Sequence, residues 1–168
     1  MRLWFPIAAA VLVLAGPAAA QSWDIYSYPD AKFAVQFPAQ PEVGPGKYRT
    51  QAGFDAPARV WSARTDQVVY TLTLADFSGT ALDKDAVIAD AVKAFGQTGV
   101  VAVDVEARIN TQYGRELSVA HKDGGRSITA IFFFDKHLYL LHGHALPPNG
   151  GDATASLIRF QQSLQFMN

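Results

Sequence analysis

After residue 21 the chain alternates apolar and polar residues in short runs, a pattern typical of half-buried β-strands. In Lys32–Phe37, for example, each aromatic or β-branched residue is separated from the next by a polar or small one. Gly44-Pro45-Gly46 predicts a turn, and Phe54–Pro57 predicts an irregular connection. The predicted strands of this half are Trp23–Tyr28, Lys32–Phe37, an edge strand around Tyr48, Arg59–Arg64 and Val68–Ala75, the last two as a hairpin.

Helical spacing replaces the alternation over Asp83–Phe95 and again over Ala153–Leu164. Apolar residues recur there every three or four positions, which predicts two amphipathic helices. Asp83 and Asp152 are suited to cap the helix N-termini, and the glycines after Phe95 can end the first helix. The residues expected to be buried are Val87, Ile88, Ala91, Val92 and Phe95 in the first helix, and Leu157, Phe160 and Leu164 in the second.

Four further strands are predicted in the second half of the chain. Val101, Val103 and Val105 alternate with Ala102, Asp104 and Glu106, so we expect a half-buried strand. The three strands after it form a meander, because Asp-Gly and Asp-Lys pairs between them favour hairpin turns. These four strands are Val100–Asn110, Arg115–Lys122, Arg126–Phe134 and His137–Ala145, and Phe166 is expected to finish on the sheet.

The strands Arg126–Phe134 and His137–Ala145 are apolar at successive positions, and therefore on both faces. Strands of this kind are buried by layers on both sides of a sheet. The fold class predicted is α+β, in one domain: an antiparallel sheet of about six to eight strands with helices on both faces, an α-β-α sandwich.

The first 20 residues have the pattern of a secretory signal peptide. Arg2 is followed by the apolar stretch Leu3–Ala15, which Gly16-Pro17 interrupts before it is long enough to span a bilayer. Ala18–Ala20 supplies the small residues of a cleavage site. We therefore expect cleavage after Ala20, a single mature domain over residues 21–168, a periplasmic or secreted location, and no membrane span in the mature chain.

Composition and charge exclude several classes of protein. The 168-residue chain has a formal charge of −1, 17% charged residues and 49% hydrophobic residues, so it is neither basic enough for a nucleic-acid partner nor polar enough for disorder. It has no cysteine, which excludes disulfides and a thiol nucleophile. The sequence motifs of serine hydrolases, zinc proteases, dinucleotide-binding folds and phosphate loops are all missing. The expectation is a protein that is not an enzyme and carries no cofactor.

Short motifs spread from Trp23 to Phe166 resemble those of a broad set of small exported bacterial proteins with the PsbP-like fold. That fold is named for an extrinsic subunit of the photosynthetic oxygen-evolving complex. The motifs are Trp23 to Pro29, Phe33–Pro41 (FAVQFPAQP), Tyr113–Leu117 (YGREL) with the Asp-Gly hairpin after it, Lys136–Leu141 (KHLYLL) and Ser163–Phe166 (SLQF). The resemblance implies an α-β-α sandwich with an accessory or binding role, and it brings no catalytic residues with it.

Two histidines are the sharpest candidates for chemistry. His142 and His144 are two residues apart on one predicted strand, so both point to the same face, where paired imidazoles suit a divalent transition metal. A third ligand, from His121, His137 or an acidic residue, would have to converge on them. The alternative is that the pair lies where the core gives way to solvent, because the strand is apolar on that face at its other end.

The remaining candidates each have a structural interpretation, which we favour. Arg115-Glu116 could belong to a recognition patch, or form a half-buried polar contact near the turn at Tyr113-Gly114. Asn149-Gly150-Gly151-Asp152 precedes a helix and could hold an anion, or simply connect two elements. The acidic residues Asp76, Asp83, Asp85, Asp90, Asp104 and Glu106 could attract a cation or a basic partner, or be solvated. The aromatic residues Trp23, Tyr26 and Tyr28 could form an exposed patch for a partner or a glycan, or pack over a sheet edge.

The sequence thus predicts an exported, non-enzymatic domain that binds another macromolecule, expected to be an envelope protein, through a sheet edge or loops. The alternative is a protein that binds a small ligand or a divalent metal, with His142 and His144 lining the pocket. The residues do not identify the partner, the ligand or the oligomeric state.

Overall fold

The structure, a computed structural model, describes residues 22–148, 151 and 153–167. The predicted leader and the predicted helix cap Asp152 lie outside these residues. The described residues form ten strands, two α-helices and a 3-10 turn at Pro29–Ala31. In order they are β1 Asp24–Tyr28, β2 Phe33–Phe37, β3 Glu42–Arg49, β4 Asp55–Arg64, β5 Val68–Asp76, α1 Lys84–Gly96, β6 Val100–Ile109, β7 Gln112–Ala120, β8 Arg126–Phe134, β9 His137–Ala145, α2 Thr154–Gln162 and β10 Gln165–Phe166.

The strands form two antiparallel sheets. The main sheet has seven strands in the order β3-β4-β5-β9-β8-β7-β6, and a smaller sheet has three in the order β1-β2-β10. The α+β class and the strand number of the main sheet are confirmed. The second sheet was not predicted, because alternation marks a strand without saying which strand it pairs with.

Two segments predicted to be irregular are strands, so those predictions are wrong. Gly44-Pro45-Gly46 lies inside β3, and β4 begins at Asp55, within the segment Phe54–Pro57. β3 is an edge strand, where proline is tolerated because the missing N–H can face away from the partner strand. A Cβ at Gly46 would lie 2.7 Å from Val60 Cγ2, so glycine suits the close approach to β4.

The core consists of two clusters of buried side chains, which we name after one member each. The Phe132 cluster includes Leu157 and Phe160 of α2, and the Ile131 cluster includes Val87 and Ala91 of α1. Successive residues of β8 and β9 belong alternately to the two clusters. We call the corresponding sides of the main sheet the Phe132 face and the Ile131 face. Their strand members are Ile128, Ala130, Phe132, Tyr139 and Leu141 on the first, and Leu117, Ile131, Leu138 and Leu140 on the second.

The helices follow the predicted apolar spacing, with shifted ends. α1 has Asp83 as its N-cap, whose Oδ1 accepts a hydrogen bond from the Ala86 backbone N–H at 2.9 Å, as predicted. α2 covers Thr154–Gln162, shorter at both ends than predicted, and Leu157 and Phe160 are fully buried. Within the described part of the chain, neither helix is long and apolar enough to span a membrane.

Both ends of the described chain close over the Phe132 face. Phe166 in β10 packs against Tyr139 and Phe134, with ring centroids 5.0 and 5.1 Å away. The Met167 backbone N–H donates to the Lys32 carbonyl oxygen at 2.9 Å. The expectation that Phe166 finishes on a sheet is confirmed, and the sheet it joins is the smaller one.

Candidate functional site

The structure brings three of the four histidines together at one end of the main sheet. His142 and His144 lie on β9 with their rings nearly parallel and their centroids 6.2 Å apart. His121, just after β7, meets His144 edge-on with 5.0 Å between centroids. His137 is at the opposite end of β9, 3.9 Å from Asp76. His121 is thus the third histidine near His142 and His144, a position that the spacing of residues in the sequence does not reveal.

The hydrogen bonds of these histidines are made within the protein. His142 Nδ1 bonds Thr129 Oγ1 at 2.8 Å, and its ring stacks on Phe95 of α1. His121 uses both ring nitrogens, with Ser127 Oγ at 3.0 Å and the Thr98 carbonyl oxygen at 3.2 Å. Among the residues that the structure describes, no group of three His, Asp or Glu side chains has the arrangement of a metal site. The cluster combines hydrogen bonds to β8 and to the segment after α1 with a ring stack on Phe95 of α1.

Burial controls the charge of this cluster. Desolvation, with smaller contributions from His144 and His121, lowers the pKa of His142 to about 4. The pKa of His144 is also lowered, first by burial and then by His121. His142 is therefore neutral at neutral pH, and its protonation is opposed by both desolvation and its histidine neighbours.

A groove of about 570 Å³ opens beside the cluster. It lies between the end of α1 and the turn after β7, and its lining includes His121, His144 and Asp123. An imidazole, a carboxylate and backbone groups at the mouth of a groove could hold a small polar molecule.

The Arg115-Glu116 pair is divided between the two faces of the main sheet, as expected of adjacent strand residues. Arg115 on the Ile131 face makes a charge-assisted pair with Asp104 of β6, including Nε to Oδ1 at 3.1 Å, and both side chains are about one-third exposed. The interpretation of Arg115 as a half-buried polar contact is confirmed. Glu116 lies opposite Val105 of β6 and Ala130 of β8, on the Phe132 face.

The acidic residues near α1 have structural partners. Asp83 caps the helix, and Asp90 accepts hydrogen bonds from the Tyr48 hydroxyl at 3.2 Å and the Gln51 backbone N–H at 2.9 Å. Asp76 accepts a hydrogen bond from the Ser78 backbone N–H, and its pKa is lowered first by the Ser78 side chain and then by this backbone bond. These three residues tie the loops to α1 and β5. Of Asn149-Gly150-Gly151-Asp152, only Gly151 lies within the described residues.

The aromatic residues of β1 pack on the core. Trp23 meets Tyr70 edge-on at 5.3 Å between ring centroids, and Tyr28 lies 5.2 Å from Trp61. Tyr26 contacts Phe37 at 6.1 Å. The packing interpretation is confirmed, and these rings do not form an exposed aromatic patch.

The prediction for the burial of β6 is also wrong. The strand was predicted to be half-buried, yet Val103 is 39% and Val105 47% exposed. A β-bulge between Val101 and Val103 shifts the register, so that Val101 lies opposite Val119 and Val103 opposite Ser118. The three valines therefore do not share a face, and of β6, the last strand of the main sheet, only the end with Ala107 and Ile109 packs against the core.

The outer edge of β6 is free within the described part of the chain. No strand pairs with it on the side away from β7, so its outward N–H and C=O groups can accept another strand. Val103, Val105, Ala107 and Ile109 follow one another along the Phe132 face of this edge, opposite Ser118, Glu116, Gly114 and Gln112. The sequence signal that could have located the edge is the unusual density of valine between Val100 and Val105 with no proline or lysine to block pairing.

A second groove, of about 340 Å³, runs from this edge to α2. Its apolar lining includes Ile109 and Phe132, and its polar lining includes Glu116 and Gln161. Gln161 is only 4% exposed, and its Oε1 has no hydrogen-bond partner. A buried acceptor without a donor is costly, so this groove has an unmet preference for a hydrogen-bond donor.

The chain is similar in structure to cyanobacterial PsbP (CyanoP) from Synechocystis sp. PCC 6803. The TM-score to that solution structure is 0.59, and the match covers 92% of this chain and 98% of the other at 11% sequence identity. No protein-family model matches the chain, and no curated protein does. At this identity the likeness shows the fold alone. The chain has a PsbP-like fold, as the motifs from Trp23 to Phe166 implied.

Proposed function

We propose that this protein is an exported, non-enzymatic domain that binds another protein of the cell envelope through the edge strand β6. The observation that carries the proposal is the exposure of Val100, Val101, Val103 and Val105 on a ten-residue edge strand whose outer side has no partner in the described part of the chain. Native proteins usually block such an edge, because it invites pairing with another chain. A free edge is also the surface on which β-strand addition takes place.

The two edges of the main sheet differ in a way that supports this proposal. β3, at the opposite edge, contains Pro45, which removes a backbone donor and interrupts strand pairing. β6 contains neither proline nor lysine, and beyond its bulge it is regular from Val103 to Ile109. Of the two edges of the main sheet, β6 is therefore the one better suited to adding another strand.

The proposed location is the periplasm or the extracellular space, after removal of residues 1–20. The support is the sequence pattern of the leader, with its small residues at Ala18–Ala20. In the host, the mature protein should begin at Gln21 and fractionate with the exported proteins. A cell-associated form that keeps Met1 would contradict export.

We further propose that the complete architecture is an α-β-α sandwich. Support comes from the alternate membership of β8 and β9 residues in the two buried clusters, one of which includes α1 side chains and the other α2 side chains. In this arrangement neither helix covers β6, since α1 packs on β7 and β8 and α2 on β8 and β9.

The binding proposal can be tested by site-specific photo-crosslinking in the host. A photoreactive residue at position 103 of β6 should give a discrete crosslinked product, whereas the same residue at position 43 should not. Val43 is a matched control, because it is also an exposed valine (51%) on an edge strand. Equal yields from both positions, or no product from position 103, would contradict docking at β6.

A second proposal, favoured by the groove beside His121 and His144, is that the protein binds a small polar ligand or a divalent metal there. The convergence of the two imidazoles on a groove of about 570 Å³ supports it. Native mass spectrometry of protein purified from its host would reveal a retained molecule. A retained mass that is lost in His144→Ala supports this function, and a bare polypeptide mass contradicts it.

A further inference from the structure

The surroundings of β6 indicate the chemistry of the segment that docks there. Two carboxylates flank the edge, Glu106 on the Ile131 face and Glu116 on the Phe132 face. Neither makes a hydrogen bond or an ion pair within the described part of the chain. Glu116 is half-buried and lines the groove, so its carboxylate can accept a hydrogen bond from a donor placed there.

The basic residues near this edge already have partners, including Arg108, which itself lines the groove. Arg115 pairs with Asp104, and the Arg108 guanidinium lies over the ring of Tyr113 at 5.2 Å while its Nε donates to the Asn110 carbonyl oxygen. On α2, Arg159 donates to Gln36 Oε1. Glu116 therefore faces a groove whose nearby cations are already engaged.

The groove has a second hydrogen-bond acceptor besides Glu116, and it comes from a different element. Gln161 comes from α2, is 4% exposed, and has an Oε1 atom with no hydrogen-bond donor. Between Gln161 and Glu116 the groove is lined by apolar side chains, among them Ile109 and Phe132. An apolar channel that carries acceptors suits the aliphatic stem and charged head of a lysine or arginine side chain.

We propose that β6 binds an extended, basic peptide segment of the partner protein, which adds as a further strand beside Val103–Ile109 and places a lysine or arginine side chain in the groove with Glu116 and Gln161. This inference rests on the proposed function and specifies its partner. Backbone pairing supplies the docking geometry, and the side chains supply specificity. Apolar side chains of the segment on the Phe132 face cover Val103 and Val105, and a basic one on the other face meets Glu106.

In two antiparallel registers, a second copy of this chain is a poorer occupant of the same edge. If two β6 strands paired antiparallel about Val105, Asp104 of each would lie opposite Glu106 of the other, and like charges directly opposite each other destabilise strand pairing. Centring the pair on Glu106 would place the two Glu106 side chains opposite each other. In these registers a second copy would add negative charge beside the carboxylates of β6, whereas a basic segment would neutralise them.

The test uses synthetic peptides of about seven residues, long enough to pair with the regular part of β6. In the first peptide, valine and arginine occupy one face and lysine and threonine the other. In the matched peptide, glutamate replaces arginine and lysine. Titration of isotope-labelled mature protein, followed by amide NMR, should show binding of the basic peptide with shifts confined to β6, β7 and the end of α2. Affinity should fall with added salt, and the acidic peptide should not bind.

Three variants distinguish binding in the groove from a general attraction between the basic peptide and an acidic protein surface. Glu116→Gln should weaken binding of the basic peptide about tenfold, because it removes a charge-assisted hydrogen bond. Glu42→Gln removes an exposed carboxylate from the opposite edge and should leave the affinity unchanged. Gln161→Leu should also weaken binding while raising the melting temperature, a combination that a purely structural role for Gln161 would not produce.

The outcomes distinguish this inference from the proposed function. If β6 amides respond equally to both peptides, or if Glu116→Gln binds the basic peptide as tightly as the parent protein, the basic-segment inference is wrong. Docking at β6 would still be supported in that case by crosslinking at position 103. If neither peptide perturbs β6 and crosslinking at position 103 also gives no product, both proposals fall together.

Discussion

At the scale of single residues, the structure gives a physical reason for the glycine in the motif Tyr113–Leu117. Gly114 in the segment Tyr113–Leu117 lies opposite Phe132 of β8, where there is no room for a side chain. A Cβ at this position would be 2.1 Å from the Ile131 carbonyl oxygen and 2.5 Å from Phe132 Cδ1. Because the nearest atom belongs to the backbone, the clash cannot be relieved by turning a side chain.

Gly114→Ala should therefore destabilise the protein by at least about 2 kcal/mol, through overpacking between paired strands. The matched control is Gly79→Ala, where a Cβ would meet no atom within 4 Å. Urea unfolding monitored by tryptophan fluorescence gives both free energies of unfolding. Similar values for the two variants would show that β7 can move away from β8 at little cost.

His142 gives the protein a predictable acid sensitivity. Its pKa is about 4 in the folded protein, against an ordinary histidine value of 6.5 in the unfolded chain, so between these values the unfolded chain binds more protons than the folded one. Stability is therefore complete above about pH 6.5 and falls as pH drops toward 4, by about 3 kcal/mol in total from this residue.

The measurement is the free energy of unfolding as a function of pH between about 7 and 4. His142→Gln should flatten the slope over this range, because the titrating group is removed. His137→Gln, at the other end of the same strand, should keep it. A parent-like slope in His142→Gln would mean that other groups account for the acid sensitivity.

At the scale of elements, a local sequence signal determines where α1 begins. The burial of a strand depends instead on its pairing and its position in the sheet. Asp83 meets the geometric requirement of an N-cap, with extended backbone and its carboxylate bonded to the Ala86 N–H. β6 had an equally clear local pattern, yet its bulge and edge position left its valines exposed. Local patterns thus predict an element's type more reliably than its burial.

Asp83→Ala should destabilise the protein by about 1 kcal/mol, since it removes the cap that satisfies an N-terminal backbone donor of α1. Asp66→Ala in the turn between β4 and β5 is the control, because Asp66 is exposed and its loss changes the net charge equally. Thermal unfolding followed by circular dichroism compares the two. An equal shift in melting temperature would assign the effect to charge rather than to capping.

At the scale of the whole molecule, the smaller sheet joins the first and last strands of the described chain. β2 lies between β1 and β10, so Trp23 to Phe37 and Gln165 to Phe166 depend on each other. The side chains of this sheet complete the Phe132 cluster. The fold is therefore finished only when the last strand is in place.

Phe166→Ala should lower the free energy of unfolding by about 2 kcal/mol, less than for a fully buried phenylalanine because Phe166 is half-buried. Tyr113→Ala is the control: it removes an aromatic ring that is 45% exposed on the main sheet, and should cost less than about 1 kcal/mol. Denaturant unfolding measures both. A smaller loss for Phe166→Ala than for Tyr113→Ala would show that β10 is dispensable.

The sequence by itself determined most strands, both helices, the cap at Asp83 and the double-sided burial of β8 and β9. These properties depend on periodicity and on residues a few positions apart, which are local. Only the tertiary structure decided the separation of β1, β2 and β10 into a second sheet, the meeting of His121 with His144, the exposure of β6, and the groove shared by Glu116 and Gln161. Each of these depends on which distant segments pair and in what register, and a local alternation of apolar and polar residues is compatible with many such pairings.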